Sequence, residues 1–348
     1  MKKMLLILLL VLLPFLAFAQ DFSKGPLYGK NMYVPFIIHY HLPALAARSG
    51  EQFDFQFRQS FYLAQDVLYF FGDLEEDDLP TERIYNTDYV FSDYEVFTAE
   101  TSFAFNILDK LQLGADLRII SYYGGFMDSF IESFHGLFGF PNGAREYFFQ
   151  NQLYINFPNN NGINMYLDKN AVSFGDIDLW GKWTFFENSN FSIAALAAFK
   201  IPTGSLDQLS GTGFPDAGLG LLLDFRVARY LSLYTQAGAV MPFNGKSNFM
   251  FNGMLGAEVH PTHFFSFNVQ MNIKTSPLND DTIIHGLSDL FNTTIYHLNM
   301  PQFNILGGFV LKFDSTRLQF YFEQDAFTNM GADITFGIML TYIVNLRD

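Results

Sequence analysis

Hydrophobic and polar residues alternate with a period of two along most of this chain. In residues 111–119, apolar side chains occupy every second position, and Gln112, Asp116 and other polar or glycine residues lie between them. Residues 52–63 and 265–274 repeat the pattern, with Phe prominent at the apolar positions. Successive side chains of a β-strand point to opposite faces, so this period predicts strands with one apolar and one polar face.

Twelve segments show this alternation, and most have the roughly 9–11 residues that a tilted strand needs to cross a bilayer. They span residues 52–63, 89–107, 111–120, 172–185, 191–201, 216–227, 231–241, 249–259, 264–274, 302–313, 318–325 and 334–344. Very short connections alternate with long ones, which is typical of periplasmic turns and outer loops. The pattern predicts an all-β fold, an antiparallel transmembrane β-barrel of twelve strands with both termini in the periplasm.

Two further segments alternate without being counted as spanning strands. Residues 147–157 would put a tight turn on the wrong side, so we place them in the long outer excursion 121–171, as a protruding hairpin. Residues 31–40 would bring the number of strands to fourteen if they also pair, and this is the alternative topology.

The amino-acid composition explains why a barrel is preferred to a water-soluble β protein. The chain has 43 phenylalanines, and aromatic residues make up 18% of it. A soluble fold must cover all these side chains, whereas a membrane barrel can turn them toward lipid. Six aromatic residues lie on the predicted outer face near the short turns and predict an interfacial girdle. They are Trp183, Phe185, Phe191, Phe225, Phe265 and Phe313.

The N-terminus predicts export. Lys2 and Lys3 precede the apolar run Met4–Phe18, and Ala17-Phe18-Ala19 resembles a signal-peptidase site. We therefore expect a signal peptide over residues 1–19, a periplasmic N-terminal segment over residues 20–50 and the barrel over residues 51–348. The expected location is the bacterial outer membrane.

Charge and cysteine content narrow the classes of partner. The formal net charge of −15 argues against nucleic acid as a partner. The absence of cysteine excludes disulfides, thiolate metal sites and thiol nucleophiles. The partners we expect are outer-membrane lipid and lipopolysaccharide, the barrel insertion machinery and an unidentified small solute, with no cofactor.

Charged residues of both signs lie on the predicted lumen-facing side of the strands. The candidates are Arg58, Glu100, Asp116, Arg118, Asp176, Asp178, Lys182, Asp224, Arg226 and Glu258. A selective pore usually carries a ring of charges of one sign. The mixture of acids and bases favours ion pairs that fill a narrow barrel, and the alternative is a polar path for a small solute.

The period changes to that of a helix within residues 124–145. Phe126, Phe130 and Phe134 share an apolar face, while His135 lies elsewhere on the helix. The pattern predicts a short amphipathic helix in the long outer loop. Such a helix could plug the lumen, lie on the outer leaflet, gate an opening or form a lid on the barrel rim.

The same stretch carries a resemblance to a known family. The helix followed by Gly139-Phe140-Pro141-Asn142-Gly143-Ala144-Arg145, together with Gly25-Pro26-Leu27 and Phe174-Gly175-Asp176-Ile177, resembles an uncharacterised bacterial family. That family is known only as a domain of unknown function and is predicted to lie in the outer membrane. The resemblance implies a barrel over nearly the whole mature chain and brings no functional residue with it.

Catalytic and metal motifs are weak. Asp128, Ser129 and His135 fall within one segment, but no nucleophile elbow accompanies them. His260 and His263 have a ligand-like spacing, yet they flank a proline in a tight turn. We predict no catalytic residue, no metal site and no enzymatic activity, and the alternative that stays open is an outer-membrane hydrolase. Two functions remain: a channel or transporter for a small solute, or a non-conducting barrel that displays its outer loops.

Overall fold

The computed structural model of the protein describes residues 23–34, 36–70, 90–139, 150–160, 163–278, 283–285, 295–297, 299–326 and 331–347. The predicted signal peptide lies outside the described residues. The strands are β1 (Asp54–Phe70), β2 (Val90–Leu108), β3 (Leu111–Tyr123), β4 (Tyr154–Asn160), β5 (Ile163–Leu167), β6 (Ala171–Phe174), β7 (Ile177–Glu187), β8 (Phe191–Ile201), β9 (Asp216–Ala228), β10 (Leu231–Pro242), β11 (Met250–Val259), β12 (Phe265–Lys274), β13 (Ile283–His285), β14 (Ile295–His297), β15 (Gln302–Phe313), β16 (Thr316–Asp325) and β17 (Ile334–Asn345). A 3-10 helix spans Phe36–Ile38, and α1 (Asp128–Phe138) follows β3. Across the described ranges, no helix is long and apolar enough to span a membrane.

Twelve of these strands close into an antiparallel barrel, which confirms the predicted fold. Its order is β1, β2, β3, β7, β8, β9, β10, β11, β12, β15, β16 and β17, and β17 pairs back onto β1. The closing ladder runs from Asp54 opposite Asn345 to Gln65 opposite Ile334. The fourteen-strand alternative is wrong, because residues 31–40 join no strand of the barrel and contain the 3-10 helix.

The two faces of the strands differ as the alternation predicts. On β3, the inward side chains of Asp116 and Arg118 are buried, while the outward side chains of Leu113, Leu117 and Ile119 are more than 40% exposed. The girdle residues with the largest exposure are Trp183, Phe185, Phe225 and Phe313. A contiguous apolar surface of this kind is unusual for a protein in water and is typical of a wall that faces lipid.

Connection lengths define two ends of the barrel. Turns of a few residues join β2 to β3, β7 to β8, β9 to β10, β11 to β12 and β15 to β16. We call this the short-turn end, and the opposite end is the long-loop end. The hairpin β4–β5 extends the sheet at the long-loop end, where Asn156 pairs with Phe91 on β2. The predicted segment 147–157 contributes Tyr154 to Phe157 to this hairpin, which continues beyond it to Leu167, and residues 147–149 lie outside the described residues.

The predicted strand over residues 172–185 is broken into β6 and β7. Both pieces pair with β3, and Gly175 and Asp176 lie between them. Asp176 Oδ1 accepts a hydrogen bond from the backbone N–H of Gly204 at 2.7 Å, and Asp176 Oδ2 forms an ion pair with Lys200 Nζ at 2.9 Å. A Cβ at Gly175 would lie 2.6 Å from Arg118 Cγ, so the break lets the arginine pass close to the backbone.

Candidate functional site, the plugged lumen

The segment before β1 fills the lumen. Tyr28 contacts carboxylates on β2 and β3, whereas its backbone N–H donates to Gln319 on β16. Its neighbour Lys24 donates a backbone N–H to Glu258 on β11. A segment that contacts walls on opposite sides of a closed barrel must lie inside it. We call residues 23–50 the plug.

The plug enters and leaves at the same end of the barrel. Its ascending arm, residues 23–34, runs from the short-turn end to the long-loop end, and the 3-10 helix turns the chain. Its descending arm, residues 39–50, returns to Arg48, which lies 3.4 Å from Glu187 at the end of β7. The expectation of a periplasmic segment over residues 20–50 is wrong for the described part, which is folded into the lumen.

One lysine of the ascending arm lies among three carboxylates of the wall. Lys30 Nζ is 2.6 Å from Glu100 Oε2, 3.2 Å from Asp178 Oδ2 and 3.5 Å from Asp116 Oδ2. Arg118 Nη2 lies 3.6 Å from Asp178 Oδ2 and adds a second positive charge. All these side chains are buried, so their charges interact in a medium that screens them poorly.

The strand register brings the three carboxylates together. Glu100 on β2 lies directly opposite Arg118 on β3, and Asp116 on β3 lies opposite Asp178 on β7. Like charges facing each other across strands are destabilising unless a cation lies between them. Lys30 supplies that cation from the plug, so this part of the wall is incomplete without it.

Arg58 completes the polar layer on β1. Its Cζ lies 3.3 Å from the centroid of the Tyr28 ring, and its Nη2 is 3.8 Å from Asp116 Oδ1. Tyr28 in turn donates its hydroxyl to Asp116 Oδ2 at 3.1 Å. A cation stacked on a ring that is also hydrogen-bonded fixes the ascending arm in one position.

An apolar cluster closes the lumen toward the long-loop end. The plug contributes Tyr33, Val34 and the 3-10 helix, and the wall contributes apolar and aromatic side chains that point inward. The buried wall residues include Tyr62, Ala64, Tyr94, Val96, Ile120, Tyr122, Leu306 and Tyr321. Burial of apolar surface stabilises this upper part of the plug, in contrast to the charged layer below it.

The descending arm is held by three kinds of contact. Tyr40 donates its backbone N–H to Asp216 at 2.9 Å, and His39 Nδ1 lies 3.4 Å from the same carboxylate. Burial lowers the pKa of His39 below its usual value. Leu42 packs against the lumen side of β9 and β10, where a Cβ on Gly218 would come within 2.9 Å of Leu42 Cδ2.

The predicted lumen residues all lie on the inner side of the wall but fall into several groups. Arg58, Glu100, Asp116, Arg118 and Asp178 surround Lys30 and Tyr28. Asp176 pairs with Lys200, while Glu258 accepts from the start of the plug. Lys182 donates to carbonyl oxygens of the descending arm, Asp224 accepts from the backbone of Arg48, and Arg226 lines a cavity near them.

Helix α1 lies on the outside of the barrel. Met127 and Ile131 are buried against Ile334 and a group of outward side chains on β1, β16 and β17. Gln65 Nε2 donates to Asp128 Oδ1 at 2.9 Å and ties the helix to β1. The alternative in which the helix plugs the lumen is wrong, because the helix packs on outward-facing side chains.

The four helix candidates belong to this outer position. Phe126 is 66% exposed and Phe130 is 52% exposed, although the Phe130 ring lies 6.4 Å from that of Phe336 on β17. Phe134 and His135 are partly buried. Of the predicted alternatives, the geometry supports a helix at the rim, with an apolar side available to the outer leaflet.

Sequence reasoning missed the residues that the plug contributes. Lys30, His39, His41 and Arg48 all lie in the segment that we placed outside the barrel. The signal that could have located them is the apolar run Tyr33–Ile38, which no segment exposed to water would be expected to carry.

A closed antiparallel barrel with an apolar outer wall and a polar, plugged lumen has the architecture of an outer-membrane β-barrel. Residues 81–298 match the family described as "Protein of unknown function (DUF3187)", and the chain belongs to that family. Among the described residues, no group of three or more His, Asp or Glu side chains is arranged to hold a metal ion.

The comparison with solved structures finds an outer-membrane channel with a similar fold. The COG4313 outer membrane channel from Pseudomonas putida F1 has a TM-score of 0.52 at 10% identity, covering 85% of this chain and 97% of that one. The Pseudomonas putida toluene transporter TodX has a TM-score of 0.40 at 9% identity, covering 94% of this chain and 100% of that one. At 10% identity, the similarity to the COG4313 channel concerns the fold alone. No curated protein matches the chain.

Proposed function

We propose that this protein is a gated outer-membrane channel for a small solute, and that the plug is its gate. The observation that carries the proposal is that the lumen, which is polar below its apolar cluster, is occupied by a separate segment. The described residues of this segment, 23–34 and 36–50, are part of no strand of the barrel and continue into the wall at the start of β1. Movement of this segment would open the lumen without breaking the barrel.

The apolar outer wall of the barrel supports a location in the outer membrane. Its exposed side chains are mainly Phe, Leu and other apolar residues, and its girdle lies at the short-turn end. Lipid is the solvent that such a surface prefers, and lipopolysaccharide would contact the long-loop end if that end faces outward. Assembly would require the barrel insertion machinery. The proposed solute is an unidentified small molecule.

Single-channel recording in planar bilayers tests the gate. We expect the full mature protein to be closed for most of the time, and a variant without residues 23–49 to give steady open currents. Heat-modifiable migration on gels and β-sheet circular dichroism show whether the shortened barrel is folded. Since deletion also exposes the buried carboxylates, a second variant that weakens the plug by one substitution, Lys30→Met, should show intermediate opening.

The second candidate is a non-conducting barrel that displays its outer loops. It is favoured by the extent of burial in the plug, because all described residues from Leu27 to Leu42 except Gly29 are buried. A folded barrel without residues 23–49 that passes no current would establish this second function and exclude the channel.

A further inference from the structure

A cavity lies inside the barrel at the short-turn end, between the two arms of the plug. Its volume is about 290 Å³. Lys24 and Tyr28 line it from the ascending arm, Arg48 lines it from the descending arm, and Arg317 is among the wall residues around it. This volume is close to the lower limit of about 300 Å³ for small-molecule pockets.

The charged side chains around this cavity are nearly all basic. Six are cationic and one, Asp224, is acidic. The cationic residues are Lys24, Arg48, Arg58, Lys182, Arg226 and Arg317. The remainder of the described chain does not share this bias, since acidic residues outnumber basic ones in the whole sequence, 35 to 20. The excess of basic over acidic side chains is therefore specific to this cavity.

The contacts of Arg48 and of Arg58 each include a carboxylate. Arg48 Nη1 lies 3.4 Å from Glu187 Oε1, and Arg58 Nη2 lies 3.8 Å from Asp116 Oδ1. These contacts reduce the positive potential but leave it in excess. Arg58 also retains a buried Nε that has no hydrogen-bond partner among the described residues.

Two other bases are held by carbonyl oxygens. Lys182 Nζ donates to the carbonyls of Ala46 at 2.8 Å and Arg48 at 2.7 Å. Arg317 Nη1 donates to the carbonyl of Lys24 at 3.1 Å, and its Nε has no hydrogen-bond partner in the described part of the chain. A carbonyl positions a cation without neutralising it. The charges of Asp224 and Glu187 also act on Lys182, and those of Glu258 and Asp54 act on Arg317, so these two positive charges are partly offset.

We propose that this cavity binds a small anion that carries a carboxylate or phosphate group. Guanidinium groups recognise both through charge-assisted hydrogen bonds, and a concave site lined by one sign of charge concentrates the opposite ion. The inference deepens the proposed channel function, because it names the chemical class of the solute at the short-turn end. Binding itself does not require that the barrel conduct.

Isothermal titration calorimetry of the detergent-purified full chain tests the proposal. The ligands are citrate and glycerol 3-phosphate, with glycerol as the neutral control, at low and at raised sodium chloride. We expect saturable binding of at least one anion that weakens with salt, and none of glycerol. Citrate alone would assign a carboxylate solute, glycerol 3-phosphate alone a phosphate ester, and the absence of binding by both would overturn the proposal.

Substitutions locate the binding. Arg317→Gln and Lys182→Gln each remove one charge while keeping a hydrogen-bond donor, and each should weaken anion binding at least about tenfold. Lys246→Gln, an equal change of charge on the exposed loop between β10 and β11, should leave it unaltered. Equal affinities in all three folded variants would place the anion elsewhere and overturn the proposal. These measurements use no membrane, so a failure of the channel proposal would appear separately, as silence in the bilayer experiment.

Discussion

Lys30 Nζ in the plug lies 2.6 Å from Glu100 Oε2 on β2, and both side chains are buried inside the barrel. The same amine also faces Asp178 and Asp116. This contact joins the segment that fills the lumen to the wall that surrounds it, at the level where acidic side chains converge. The predictions below follow from this relationship and from the other contacts of the plug.

Replacing Lys30 should loosen the plug. In Lys30→Met, the buried carboxylates lose their shared cation, and an uncompensated buried charge costs about 3–5 kcal/mol. We expect the backbone amides of residues 24–34 to lose protection in hydrogen exchange followed by mass spectrometry. The exposed Lys246→Met is the control and should leave protection unchanged. Unaltered exchange in a folded Lys30→Met protein would contradict the assigned role.

A second substitution should restore part of this loss. Adding Asp178→Asn to Lys30→Met removes one of the carboxylates that the missing amine had neutralised. Residues in one charge network are not additive, so the double variant should exchange more slowly than Lys30→Met alone. If the two effects simply add, the residues do not act as one network.

The absence of a side chain at Gly218 should be needed for Leu42 of the descending arm to pack against the wall. A Cβ at Gly218 would lie 2.9 Å from Leu42 Cδ2, whereas a Cβ at Gly220 would lie 3.4 Å from Leu42 Cδ1. Gly218→Ala should therefore increase the open time in planar bilayers, and Gly220→Ala should change it little. Combining Gly218→Ala with Leu42→Ala removes the collision, and this pair separates steric displacement from damage to the strand.

Acid should weaken the descending arm through His41, which belongs to the plug and not to a strand of the wall. His41 Nε2 lies 2.7 Å from the carbonyl of Phe36, and His41 Nδ1 lies 2.6 Å from Lys274 Nζ. Burial lowers the pKa of His41 well below its usual value, and the charges of Lys274, Arg118 and Lys30 lower it further.

The sign of the pH effect follows from this lowered pKa. In a released plug the pKa of His41 returns to about 6.5, so below that pH the released state binds more protons. The contribution of His41 to plug stability is complete above about pH 6.5 and falls as the pH decreases. We expect a higher open probability at pH 5.5 than at pH 7.5, and His41→Asn should reduce this difference. His263→Asn, at the turn after β11, is the control, and an unchanged pH response in His41→Asn would exclude the mechanism.

The position of α1 can be tested with a single introduced cysteine, because the chain has none of its own. An environment-sensitive fluorophore on Phe130→Cys should be quenched by spin-labelled lipid, since Phe130 is on the exposed apolar side of the outer helix. The same label on Glu132→Cys, about 200° around the helix, should be quenched less. Equal quenching at the two positions would place the helix away from the lipid.

The sequence alone determined the barrel, because a period of two is a local property of each strand. β8 covers residues 191–201 as predicted, and β15 covers residues 302–313 as predicted. Turn lengths then determined the pairing of neighbours, and the total number of strands followed. Strand ends at the long-loop end were less predictable, since β1 continues to Phe70, where it pairs with Val90 on β2.

Only the tertiary structure decided what fills the barrel. The inward direction of Glu100, Asp116 and Asp178 follows from alternation, but their common partner Lys30 lies about 70 residues or more away, in a segment that pairs with no strand of the barrel. The helix shows the same limit, because its apolar face predicts a hydrophobic neighbour without specifying the inner or the outer wall. Contacts between distant segments depend on the closed shape of the sheet, and no local pattern of residues records that shape.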